Sequence, residues 1–137
     1  MRGVKPANLA SVPQKILIVD DESDFIELMK FRLGDLGYEF LVASDGVQAL
    51  TQARQFKPDL ILLDILLPDL DGISVCDILR RSPATKKIPV IFMSALSSDV
   101  TKRTVAMQAD DFFTKPLDLP RLARRIGELL HHETVVE

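Results

Sequence analysis

An α/β domain built on five parallel strands is the fold class that this sequence predicts, and three observations predict it. Short apolar runs and amphipathic stretches alternate from Lys15 onward, the pattern of successive strand–helix units joined by right-handed crossovers. The run at 88–93 is apolar almost throughout, as in a strand covered on both faces. Three runs also stop abruptly at chemistry: Ile16-Leu17-Ile18-Val19 at Asp20-Asp21-Glu22, Leu60-Ile61-Leu62-Leu63 at Asp64, and Asp111-Phe112-Phe113-Thr114 at Lys115-Pro116. In a parallel sheet those stops share one edge, and ligands of open α/β sheets bind outside the carboxyl ends of the strands.

The elements follow in order. Residues 1–14 hold Gly3, Pro6, Asn8 and Pro13 without periodicity and read as a flexible N-terminal extension, with the domain spanning 15–131 and a tail at 132–137. The first strand precedes a helix at 23–36 that sets Phe25, Leu28, Met29, Leu33 and Leu36 on one face and ends at Gly37. A second strand at 38–43 leads to a helix capped by Asp45, which carries Ala49, Leu50, Ala53 and Phe56 inward and stops before Pro58. The third strand, 60–63, is followed by a loop at 65–71 and a helix at 72–81 with Val75, Cys76 and Leu79 inward. The fourth strand, 88–93, places Ser94 at its end. A fourth helix near 98–107 has only a thin stripe of Val100, Thr104 and Met107. After the fifth strand, Asp118 caps a last helix with Pro120 in its tolerant first turn and Leu119, Leu122, Ala123, Ile126, Leu129 and Leu130 at helical spacing.

Bulk properties narrow the function. A chain of 137 residues fits one domain. A net charge of −3 supplies no basic field for sequence-independent nucleic-acid binding, so direct DNA contact is not expected. One cysteine, Cys76, excludes an internal disulfide and any multi-cysteine metal site, and its apolar neighbours make it a core thiol. No run approaches the ~20 apolar residues of a membrane span. The expectation is a soluble cytoplasmic domain.

At the shared edge, Asp20, Asp21 and Asp64 would raise one another's pKa and oppose folding unless a cation joined them. An all-oxygen donor set suits Mg²⁺, which commonly bridges carboxylate and phosphate oxygens. Lys115 offers a mobile point charge and Ser94 a hydroxyl donor for phosphoryl oxygens. Phosphoryl transfer depends more on positioning and charge neutralisation than on acid/base groups, so a carboxylate nucleophile suffices, and Asp64, alone on the central strand, is the best candidate.

These residues resemble the receiver domain of bacterial two-component response regulators, the CheY-like family. The likeness runs from about Lys15 to Leu130 and rests on Val19-Asp20-Asp21-Glu22, Leu63-Asp64-Ile65-Leu66-Leu67-Pro68-Asp69-Leu70-Asp71-Gly72, Met93-Ser94-Ala95 and Ala109-Asp110-Asp111-Phe112-Phe113-Thr114-Lys115-Pro116. It implies a flavodoxin-like, doubly wound (βα)5 fold of strand order 2-1-3-4-5, with Asp64 phosphorylated by a sensor histidine kinase or phosphotransfer protein. Asp21, Asp64 and the Leu66 backbone carbonyl would bind Mg²⁺, with Asp20 acting mainly through water. Ser94 and Phe112 would be a coupled switch moving the face of the fourth helix, fifth strand and last helix. Small Ala95 would admit the phosphodonor, and Lys115-Pro116 would be a cis peptide. Such a protein is a signalling switch whose only catalysis is its own phosphorylation and dephosphorylation.

Gln108 departs from the glycine common at that position, and Phe112 lacks the hydroxyl of the commoner tyrosine. Leu66 and Leu96 beside the site cannot orient an attacking water, so slow self-dephosphorylation is expected. Arg121, Arg124 and Arg125 on one side of the last helix read either as a solvated face or, with Lys102, Arg103, Asp110 and Asp111, as a self-complementary surface for a homodimer. His131-His132 reads as a polar helix end. Three alternatives compete: a phosphate-independent interaction module, disfavoured by the complete acidic and basic set; an aspartate-nucleophile phosphohydrolase, disfavoured by Leu66 and short loops; and a flavin carrier, which would need a Ser/Thr/Gly-rich phosphate loop.

Overall fold

Strand residues alternate between two cores. Ile16, Ile18, Leu60, Leu62, Ile91 and Met93 point to one, and Leu17, Val19, Ile61, Leu63, Val90 and Phe92 to the other, the two-residue period of a pleated strand. The computed structural model describes residues 12–95 and 108–131. The first eleven residues of the expected extension, the fourth helix near 98–107, Leu96 and the tail at 132–137 lie outside them.

Five parallel strands form the sheet: β1 (Lys15–Val19), β2 (Glu39–Ala43), β3 (Leu60–Asp64), β4 (Val90–Ser94) and β5 (Asp111–Thr114), in the order β2-β1-β3-β4-β5. Val19 pairs with Ala43 on one side and Leu63 on the other, Asp64 pairs with Met93, and Ser94 pairs with Thr114. Helix α1 (Ser23–Gly34) and the C-terminal helix (Leu119–His131) cover one face, through Ile26, Met29, Leu33, Leu122 and Ile126. Helices α2 (Gly46–Phe56) and α3 (Gly72–Arg81) cover the other, through Ala49, Leu50, Ala53, Val75, Cys76 and Leu79. Covering both faces is what permits strands as apolar as β1, β3 and β4. Because the chain winds one way from β1 to β2 and the other way from β3 onward, a crevice opens at the carboxyl ends of β1 and β3.

Local chemistry sets the boundaries. Asp45 accepts the Gln48 amide at 2.8 Å, Asp71 that of Ser74 at 2.8 Å, and Asp118 that of Arg121 at 3.1 Å, each satisfying an orphan donor of a first helical turn. Lys57 closes α2 in the left-handed conformation, φ 46°. Gly37, φ 91°, makes the turn into β2 where a side chain would be strained.

Several sequence expectations need correction. Helix α1 stops at Gly34 and buries Ile26, Met29 and Leu33, while Leu28 and Leu36 are 45% and 53% exposed. The stripe i, i+3, i+7 faces the sheet, and Leu28, one step of about 100° from Met29, turns outward. Phe56, at the last residue of α2, is exposed. β2 begins at Glu39. β4 begins at Val90, since Pro89 has no amide for the ladder, and it includes Ser94. The Gln14 carbonyl accepts the Glu39 amide at 2.9 Å.

Candidate functional site

Asp20 follows β1 directly, and its amide still bonds Ala43 across the sheet, which fixes the carboxylate at the crevice. It is fully buried, with Oδ1 accepting the Glu22 amide at 2.9 Å and Oδ2 held by Lys115 Nζ at 2.7 Å. Asp64 ends β3 and is 5% exposed; its Oδ1 accepts the Leu66 amide at 3.2 Å and its Oδ2 lies 3.3 Å from Lys115 Nζ. Asp21 is exposed at the rim, and one carboxylate oxygen from each of Asp20, Asp21 and Asp64 lies within 4.8 Å of the others. Such a cluster of hard oxygen donors fits a divalent cation, and the Lys115 ammonium bonds two of the three carboxylates, Asp20 and Asp64.

The electrostatics follow from that crowding. Burial raises the Asp64 pKa above its ordinary value, the Lys115 charge opposes this, the Asp20 charge adds to it, and the Leu66 amide opposes it. Burial alone would lower the Lys115 pKa, but the hydrogen bond to Asp20 and the charges of Asp20 and Asp64 outweigh it and leave the ammonium more firmly protonated. Glu22 Oε1, 3.6 Å away, adds a third carboxylate around the same amine.

Ser94 is fully buried at the end of β4, and its carbonyl accepts the Lys115 amide at 2.8 Å, tying β4 to the segment that presents the lysine. The Lys115–Pro116 bond is cis. Ala95 is exposed beside Ser94, and Leu66 turns its side chain to solvent. Phe112 is half-buried on β5 against the core that α2 and α3 cover. It shares a surface hollow with Phe113, Thr114, Pro116, Asp118 and Arg121, whose guanidinium lies 4.6 Å over the Phe113 ring.

The loop after Asp64 is tethered at both ends. Asp69 accepts the amides of Gly46 and Val47 at 2.7 and 3.0 Å, so its carboxylate serves the N-terminus of α2 from another loop, and the Gly46 amide leads the contacts that hold its pKa low. The Gly72 amide donates to Ile65 O at 2.7 Å. Of the residues around the lysine, sequence reasoning gave Glu22 no role and read Phe25 only as a core residue, and it assigned nothing to Asp69. The available signal for the first two was position: the first turn of a helix that starts at a sheet edge borders whatever that edge binds.

The model of the response regulator receiver domain family matches residues 16–127. The chain belongs to that family. It is 37% identical over 123 residues to the alkaline phosphatase synthesis transcriptional regulatory protein PhoP of Bacillus subtilis, covering 89% of this chain and 50% of that protein. The receiver thus spans about half the length of the curated relatives it matches. A response regulator receiver domain from Francisella superposes with a TM-score of 0.80 at 33% identity, over 88% of this chain and 98% of that one. The receiver domain of a sensor histidine kinase from Pseudomonas aeruginosa, with a magnesium ion coordinated in its active-site cleft, superposes with a TM-score of 0.79 at 28% identity, over 87% of this chain and 98% of that one.

The dimer surface expected from the sequence is described in part. Arg125 is engaged within the chain, by Asp111 at 2.8 Å, Glu128 at 3.2 Å and the Asp110 carbonyl at 3.2 Å. Lys102 and Arg103 lie outside the described residues. No described helix is long and apolar enough to cross a membrane.

Proposed function

We propose that this receiver takes a phosphoryl group on Asp64 from the phosphohistidine of a sensor histidine kinase or phosphotransfer protein. The observation that carries the reading is the placement of a buried carboxylate, Asp64, at the end of a central strand with the Lys115 ammonium 3.3 Å away. In the step, an Asp64 oxygen bonds to phosphorus while the phosphorus–nitrogen bond to the donor breaks, and the imidazole leaves with the bonding pair. Asp64 gives up no proton, so it must arrive ionised, and Lys115 opposes the burial that would protonate it.

Asp20, Asp21, Asp64 and the Leu66 carbonyl would hold Mg²⁺, which when bound supplies charge neutralisation for the phosphoryl oxygens. Lys115 and Ser94 contact those oxygens, and the exposed small Ala95 leaves the approach open. Lys115, held between Asp20 at 2.7 Å and Asp64 at 3.3 Å, is within reach of a phosphoryl group on Asp64 and would neutralise one of its oxygens. Ser94 and Phe112 are the switch: the buried hydroxyl turns to the phosphoryl group, and the half-buried ring changes the hollow it shares with Pro116 and Arg121. The altered face of β5 and the C-terminal helix engages a downstream protein, a fused output domain or a second copy of the chain. Self-phosphorylation and dephosphorylation are the only chemistry this reading requires.

Intact-protein mass spectrometry after incubation with Mg²⁺ and acetyl phosphate tests it, with Asp64→Asn as the control. One phosphoryl group that needs both Mg²⁺ and Asp64 is expected. Absence of any adduct would replace the reading with that of a phosphate-independent interaction module.

A further inference from the structure

The Lys115 ammonium has one described contact that carries no charge: its Nζ lies 4.3 Å from the centroid of the Phe25 ring. Phe25 is the third residue of α1, which begins directly after Asp20-Asp21-Glu22, so the helix start delivers a ring to the acidic cluster. We propose that Phe25 is a positioning residue for Lys115, holding the ammonium at the crevice while its carboxylate partners exchange. This rests on the phospho-acceptor reading above.

Asp20 and Asp64, at 2.7 and 3.3 Å, are the same groups that the phosphoryl group and the cation would engage. Those contacts change during the reaction, and the lysine stem is long and flexible. The negative face of an aromatic ring attracts an ammonium without competing for the cation or the phosphoryl group, and the attraction is larger where water is excluded. The Lys115 side chain is only 16% exposed. Leucine at position 25 would fill similar space and offer no such face, whereas tyrosine would keep it.

Two measurements on the full chain, each with Phe25→Leu and Phe25→Tyr, test this. In metal-free protein, NMR of ¹³C-lysine-labelled chain should find the Lys115 ε-protons shifted upfield by the Phe25 ring, a shift lost in Phe25→Leu and kept in Phe25→Tyr. With Mg²⁺ and acetyl phosphate, Phe25→Leu should phosphorylate about three- to tenfold more slowly with unchanged Mg²⁺ affinity, and Phe25→Tyr should restore the rate. A Phe25→Leu rate equal to that of the unaltered chain, a Phe25→Tyr rate as slow as Phe25→Leu, or an unshifted Lys115 signal overturns the positioning role and leaves the phospho-acceptor reading standing. An unaltered chain that takes up no phosphoryl group overturns both.

Discussion

Gly72 stands so close to Asp64 that a Cβ built on it would lie 2.2 Å from the Asp64 carbonyl oxygen and 2.9 Å from Ile65 Cα. Both neighbours are backbone, and one belongs to the strand that presents the phospho-acceptor candidate. The missing side chain lets α3 start against the end of β3. Gly72→Ala should therefore cost about 3 kcal/mol in urea unfolding, the upper end of overpacking penalties, and should also slow phosphorylation because the Asp64 backbone must shift. Unfolding within 0.5 kcal/mol of the unaltered chain would show that the contact relaxes freely.

Gly127 is the opposite case. It lies inside the C-terminal helix with nothing within 4 Å of a built Cβ. Gly127→Ala should raise stability by roughly 0.5–1 kcal/mol, the difference in helix propensity, leaving phosphorylation unchanged. A lower urea midpoint would rule this out.

The raised pKa of Asp64 makes its ionisation a cost to folding. Below the unfolded value of 3.8 the group is protonated in both states and the cost is absent. As pH rises through the higher folded value, the folded state must ionise a buried carboxylate, and stability falls. The unaltered chain should lose urea resistance relative to Asp64→Asn as pH rises from 3.8 through the higher folded value, and Mg²⁺ should narrow the gap by favouring the ionised form. Lys115 acts at the other end of the scale: its raised folded pKa contributes stability that is complete below 10.5 and lost as pH climbs through that higher value. A gap that stays constant with pH would remove Asp64 as its source.

Asp21 is exposed, so Asp21→Asn should change metal-free stability by less than about 0.5 kcal/mol. With Mg²⁺ at a hundred times its dissociation constant the unaltered chain should gain about 2.7 kcal/mol, and the variant much less. Thermal melts with Mg²⁺ and with chelator separate the two. An equal gain in both proteins would place the cation elsewhere.

Much of this arrangement was legible from the residues alone, because strand ends in a parallel sheet share an edge. The runs ending at Asp20, Asp64 and Lys115 sufficed to bring those groups together, and the described order of the strands and both sheet faces agrees with the expectation. What escaped was long-range or rotational. Nothing local to Asp69 announces that it serves the α2 N-terminus 22 and 23 residues earlier in the chain. Phe25 fits a helical apolar stripe as well as a contact with Lys115, and periodicity does not resolve the rotation of a short helix. The same ambiguity lets Leu28 fit the apolar stripe although it is exposed in the structure.

Asp69 supplies the last prediction. Its carboxylate takes two amides of the α2 N-terminus and so ties down the loop that carries Leu66. Asp69→Ala should leave those donors to water and loosen the loop, speeding hydrogen exchange at Gly46 and Val47 severalfold while the central strands stay protected. Because the hydrogen bonds depress its folded pKa below 3.8, the tether is intact above that value and is lost as pH falls through the depressed one. Weaker Mg²⁺ binding should accompany the faster exchange, since the Leu66 carbonyl is a proposed ligand on the same loop. Faster exchange with unchanged Mg²⁺ affinity would mean that the tether stabilises α2 alone and that the Leu66 carbonyl is positioned by the Gly72 and Asp64 contacts.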